Sequence, residues 1–164
     1  MTRHASWLLA LTLLSGNSPA DAPAGDGEYW QSLAWQYRPL VMVAGADSRA
    51  SDWESRLSAN RCALTERRIH WLVIRPDGSV WRRFAGEESA DFEDTRLDES
   101  AGAQLRRRAG WEPDAASRLL LFGLDGQRKY AGQPESLDTI WALIDRMPMR
   151  RAELEHEPDR CQSR

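Results

Sequence analysis

This sequence predicts a single α/β domain, with a central mixed sheet of about four strands flanked by helices. Three observations carry that expectation. Two short continuous apolar runs, LVMVA (Leu40–Ala44) and IHWLVIR (Ile69–Arg75), read as buried strands, because a strand covered on both faces shows no polar alternation. Stretches with apolar residues at helical spacing follow them. Asp125-Gly126, between RLLLFGL and QRKYAG, is a strong two-residue hairpin signal. The 164 residues suffice for one domain with a real core, and 41% hydrophobic with 29% charged residues fits a globular chain.

The chain opens with Arg3 and His4, the apolar run WLLALTLL (Trp7–Leu14), then small and polar residues up to SPA before Asp21. This pattern reads as a signal peptide over residues 1–20; an ordinary N-terminal helix is the other reading. The run is shorter than the roughly 20 residues a membrane span needs, and no cysteine follows it to carry a lipid. The expectation is a periplasmic or secreted protein with no membrane insertion after cleavage. Cleavage removes one of 22 basic residues, Arg3, and none of the 25 acidic ones, taking the net charge from −3 to −4. No basic field points to nucleic acid. Only Lys129 among the basic residues is a lysine; genome base composition explains such a bias, and arginine chosen for anion recognition is the alternative.

Residues 21–28 form a flexible leader of small and turn residues. In EYWQSLAWQYRP, Trp30, Leu33 and Tyr37 sit at helical spacing, a short helix leading to Pro39. Ser51 and Glu54 make an S-x-x-E capping box, which predicts a helix from Asp52 with Trp53, Leu57 and Leu64 on one face. After the second strand, Pro76–Gly78 is a turn, and SVWRRF returns as a short strand. The acidic stretch EESADFEDTRLDE (Glu87–Glu99) reads as a solvated loop, since it lacks the alternating ligands and central glycine of a calcium loop. Leu97, Ala101 and Leu105 form a helical stripe, with Arg106–Arg108 where cations suit the helix dipole. Ser136 caps a last helix whose Leu137, Ile140, Trp141 and Ile144 face the core, and Pro148 interrupts it. The chain is highly charged from Arg150 onward and is expected to be partly disordered there; the domain is drawn over 29–154, with a charged tail over 155–164.

The order β-α-β, a small excursion, α, hairpin, α is that of the thioredoxin fold. There the first and last helices cover one sheet face and the middle helix covers the other. Three stretches sharpen this: LAWQYRPLVMVA (Leu33–Ala44), RLLLFGLDGQRK (Arg118–Lys129) and SLDTIWALIDRMPMRRAEL (Ser136–Leu154). Together they resemble the thioredoxin-like, peroxiredoxin-related domain of unknown function of proteobacterial envelope proteins. The same domain occurs in vertebrate matrix proteins with sushi repeats or coiled-coil segments. The resemblance spans roughly Trp30–Leu154, and IDRMPMR (Ile144–Arg150) is its most specific part. It implies a thioredoxin-like fold and no established activity. Many members lack a cysteine at the first helix. The two cysteines and many tryptophans here depart from a typical member.

A catalytic thiolate needs the helix N-terminus that activates it. The junction after the first strand holds Asp47, Ser48 and Ser51 instead. A serine hydroxyl is far less acidic and does not cycle through sulfenic acid. His4, His70 and His156 are the only histidines, and none is near Ser51 in sequence to act as its base. Cys62 and Cys161 are expected to form a structural disulfide, with separate thiols or a redox pair as alternatives. Closing a loop of about 100 residues is worth about 4 to 5 kcal/mol before strain. Met147, Pro148, Met149 and Arg150 are either a docking surface or a helix stop with packing. No zinc cluster and no phosphate-binding glycine motif appears, so no cofactor and no metal is expected. The functional expectation is an exported non-catalytic module that binds a protein or small ligand through Asp47, Ser48, Ser51 and Met147–Arg150. The alternative is a thiol-disulfide oxidoreductase or peroxiredoxin-like enzyme using Cys62 and Cys161.

Overall fold

A computed structural model describes residues 27–87 and 91–156. The signal over 1–20, most of the leader, the end of the tail and Cys161 lie outside the described residues. The elements run α1 (Glu28–Leu33), β1 (Arg38–Val43), α2 (Arg49–Ser58), α3 (Arg61–Glu66), β2 (Ile69–Ile74), β3 (Val80–Phe84), β4 (Thr95–Arg96), α4 (Glu99–Ala109), β5 (Arg118–Phe122), β6 (Arg128–Gly132), α5 (Asp138–Asp145) and α6 (Pro148–His156).

The sheet has six strands in the order β4-β3-β2-β1-β5-β6, rather than about four. β1 and β2 are parallel, in register from Arg38 opposite Ile69 to Val43 opposite Ile74, and the other pairs are antiparallel. β1 and β2 are buried along their whole length, as their mostly apolar sequences lead one to expect, with Arg38 and His70 as the polar members. Successive side chains point to opposite faces. Leu40, Met42, Trp71, Val73, Leu119 and Leu121 face Trp53, Leu57, Leu64, Ile140 and Ile144, so α2, α3 and α5 share one face. Val41, Val43, Leu72, Ile74, Leu120 and Phe122 face Trp30, Leu33, Leu105 and Ala109 of α1 and α4 on the other.

Four expectations need correction. First, α2 starts at Arg49 rather than Asp52. Ser51 is no cap: its Oγ donates to Ser48 O at 2.7 Å, while Glu54 reaches Arg83 at 3.0 Å. Second, the helix does not run on to Leu64. Asn60 leaves helical geometry and its Nδ2 donates to Arg56 O at 2.7 Å, so an asparagine amide replaces a helical bond and starts α3 anew. Third, the acidic stretch supplies β4 and a strap over the sheet. Phe92 packs between Phe84 and Trp71, with ring centroids 5.3 and 6.1 Å away. Asp91 pairs with Arg61 at 2.9 Å, Asp94 with Arg83 at 2.8 Å, and Asp98 caps α4 by accepting from Ala101 N at 2.9 Å. Fourth, the chain goes on as a helix after the interruption: α5 ends at Asp145, and Pro148 opens α6, where its missing N–H costs nothing. α6 continues to His156, so the charged region after Arg150 is helical that far. Ser136 does assist α5, its Oγ accepting from Asp138 N at 3.1 Å. No helix among the described residues is long and apolar enough to cross a membrane.

Candidate functional site

The β1–α2 junction is built around Asp47. One carboxylate oxygen accepts from Arg49 N at 3.1 Å, which fixes the start of α2; the other accepts from Ser117 N at 3.0 Å. Ser117 Oγ in turn accepts from Gly45 N at 2.9 Å. Gly45 is required: a Cβ there would lie 2.5 Å from Ala115 O. Hydrogen bonds from the side chain and backbone of Ser117 hold the Asp47 carboxyl below the usual carboxylate range. Ser48 and Ser51 are exposed beside it. Asp47 and Ser51 are thus both engaged in local backbone bonds, and the junction clamps one loop to another.

The break at Asn60 changes the place of Cys62. It stands exposed in the first turn of α3, instead of late in a long helix. Cys161 lies outside the described residues. Among the described residues, no three His, Cys, Asp or Glu side chains gather to hold a metal ion.

The expected docking residues at the chain end divide. Pro148 is exposed and Met149 is 42% exposed, but Met147 packs against the core and Arg150 is buried. Arg150 therefore leaves the proposed surface. Its Nη1 donates to Glu66 O at 2.9 Å and lies 3.5 Å from Glu153 Oε2. Glu153 holds Arg38 in a two-pronged pair, at 3.0 and 3.2 Å, and Arg38, 1% exposed, also donates to Arg67 O. Arg67 reaches Asp145 at 2.7 Å and lies over the Trp141 ring. This clasp of three arginines and the carboxylates of Glu66, Asp145 and Glu153 locks α6 to the ends of α3 and β1. IDRMPMR supplies Asp145 and Arg150 to it.

His70 is the polar group whose setting sequence reasoning missed. It lies buried under α1, its Nδ1 3.0 Å from Ala85 O and its Nε2 2.9 Å from Tyr29 Oη. A carbonyl only accepts, so Nδ1 carries the proton and Nε2 accepts from the tyrosine. Burial, aided by the Arg82 charge, lowers the His70 pKa to about 4; burial raises that of Tyr29 to about 12. Tyr37 lies alongside, 5.5 Å between ring centroids. Both imidazole nitrogens are occupied within the fold, so the pair ties α1 to β2. A lone polar residue inside an apolar strand run was its only sequence signal.

No curated protein and no solved structure matches this chain. A family model does, from residue 30 to residue 153, from the first core tryptophan through Glu153 of the clasp. The chain therefore belongs to the family described as a domain of unknown function, DUF4174.

Proposed function

We propose that this chain is an exported, non-catalytic, thioredoxin-like module that acts in the cell envelope by binding a protein or a small ligand. The thioredoxin-like reading is supported by connectivity. β1, α2–α3 and β2 form a parallel unit, β5–β6 a hairpin followed by α5, and α2 and α5 share a face opposite α4. The charged start, short apolar run and SPA support export.

One observation carries the non-catalytic reading. Where a thiolate would be activated, Asp47 clamps Ser117 and Arg49, and Ser51 donates to its own helix. In this reading Cys62 and Cys161 form a stabilising bridge. The clasp supports that pairing, because Arg150 on α6 meets Glu66, one turn beyond Cys62. The purified mature chain, identified by mass spectrometry as starting near Asp21, should give background rates of insulin reduction and peroxide consumption. The Cys62→Ser/Cys161→Ser variant should melt lower.

A second reading has its own observation: Cys62 is exposed in a first helical turn beside Arg61. Six residues of helix give that turn little dipole. Turnover by the wild type that the double variant lacks would establish the oxidoreductase reading and remove the first.

A further inference from the structure

His70 lies in β2 with α1 laid over it, and its charge state is tied to that helix. Nδ1 donates to Ala85 O at 3.0 Å, and Nε2 accepts from Tyr29 Oη at 2.9 Å. The titratable and charged groups around it come from several elements. α1 brings Tyr29, and the turn after it brings Tyr37, whose ring is tilted against the imidazole. β3 brings Arg82, whose charge opposes a second one at His70. Glu87, after β3, is exposed and accepts from Tyr37 Oη at 3.3 Å. β1 and α4 add apolar side chains to the same sheet face. Among the described residues no carboxylate bonds the imidazole.

A proton on Nε2 changes this arrangement in two ways. It takes the lone pair to which the Tyr29 hydroxyl donates, so that donor loses its acceptor. It also places a cation inside the fold, facing Arg82. A buried charge without a counter-ion is strongly unfavourable, whereas the same imidazolium in water is not. The protonated form therefore favours any opening that brings water to His70.

α1 is the element that can leave alone. Its six residues are too few to hold a helix by themselves, and they bury only Trp30 and Leu33. The chain leaves α1 through Trp35, a bulky residue at φ +64°, in the left-handed region. The Trp35 N–H is held there by Leu124 O at 2.7 Å. Detachment relieves that conformation. β2, by contrast, is paired on both sides, with β1 and with β3.

We propose that α1 is an acid-released cover: a proton on His70 detaches α1 from the sheet while β1, β2 and β5 stay paired. Release uncovers the side chains of Val41, Leu72, Leu105 and Phe122, against which Trp30 and Leu33 pack. The device goes beyond the binding-module reading and does not depend on it.

Native-state hydrogen exchange on the isotope-labelled chain, at several pH values and low urea concentrations, tests the release. The probes are the Trp35 and Tyr37 amides, bonded to Leu124 O and Leu33 O, compared with Val41 and Leu72 in the central strands. Protection is corrected for the intrinsic exchange rate at each pH. At the α1 probes it should lie below that of the strands and ignore low urea, because little surface opens. It should also fall about 20-fold from pH 7 to pH 5, the ratio for an imidazole that binds its proton at 6.5 when open and at about 4 when covered. His70→Gln, neutral at both pH values, should abolish that fall. Equal protection and equal urea dependence in α1 and the strands would overturn the proposal, because α1 would then leave only with the whole fold. Lower protection in α1 that ignores pH would overturn it too, since His70 would stay covered. So would a fall that survives in His70→Gln. Imidazole nitrogen shifts of the wild type give a check that needs no variant: a charged His70 beneath a still-protected α1, at any pH, would also overturn it.

Discussion

Arg38 and Arg150 in the clasp, and Arg128 at the hairpin tip, are one residue type in opposite settings. The clasp arginines are 1% and 4% exposed and meet carboxylates and backbone carbonyls of other elements. At the tip, Arg128 is exposed, and Asp125 is held by Lys129. Inward, an arginine charge stabilises only while its partner remains, because the guanidinium has left water. Outward, the same charge stays in water and contributes little to stability. The difference is one of desolvation.

The largest effect follows from removing one partner of the clasp. Glu153→Ala leaves Arg38 buried with no carboxylate, and breaking such a pair costs roughly 3 to 5 kcal/mol. The midpoint of urea unfolding should fall accordingly, with m unchanged. A loss under about 1 kcal/mol would mean that Arg38 reaches water, and the contrast with the tip would collapse.

His70 gives the second effect, as an inward group that stays neutral. Its folded pKa is about 4 and its ordinary value 6.5, so between those values the unfolded chain binds a proton that the folded chain refuses. The contribution is therefore complete above pH 6.5 and disappears as pH falls toward 4, by roughly 3 kcal/mol in all. Unfolding free energies measured across that range should show the slope, and His70→Gln should flatten it. An unchanged slope in the variant would assign the acid sensitivity to other groups.

The third effect is intermediate. Asp47 is exposed, yet it holds two backbone N–H groups, as an N-terminal cap does. Asp47→Ala should cost about 1 kcal/mol in thermal or urea unfolding. A neutral result would place Asp47 with the tip residues, leaving the junction's order to Ser117 and Gly45.

What the sequence revealed depended on how local each signal is. The strands at Leu40 and Ile69 were legible because burial on both faces leaves an unbroken apolar run. The Asp125-Gly126 hairpin was legible because two adjacent residues suffice. Of the expected stripe, Ala101 and Leu105 lie one turn apart in α4, while Leu97 stands just before its Asp98 cap and packs against the same cluster. The helix break at Asn60 was missed, since one amide replaced one helical bond inside an otherwise continuous pattern. β4 was missed because two residues at a sheet edge leave no periodicity. Arg150 was misplaced on the surface for a different reason. Besides nearby Asp145, its partners are Glu66, 84 residues earlier, and Glu153, whose other partner Arg38 is 115 residues away. No local pattern tells an arginine that will be buried from one that will not. Of the expected site, Asp47, Ser48 and Ser51 do cluster at one junction, whereas Met147–Arg150 splits between core and surface.

The smallest effect tests the other half of the contrast. Arg128→Ala removes a charge that meets no carboxylate among the described residues, from an exposed position on an edge strand. Stability should move by no more than about 0.5 kcal/mol, as for ordinary surface substitutions. Arginine and lysine on an edge strand also discourage unwanted pairing with other chains. In that role the alanine variant melts with the wild type and aggregates more readily, and light scattering on the sample used for unfolding checks it. A large drop in melting temperature would contradict this, because it would show that Arg128 is held inside the fold in the way Arg150 is.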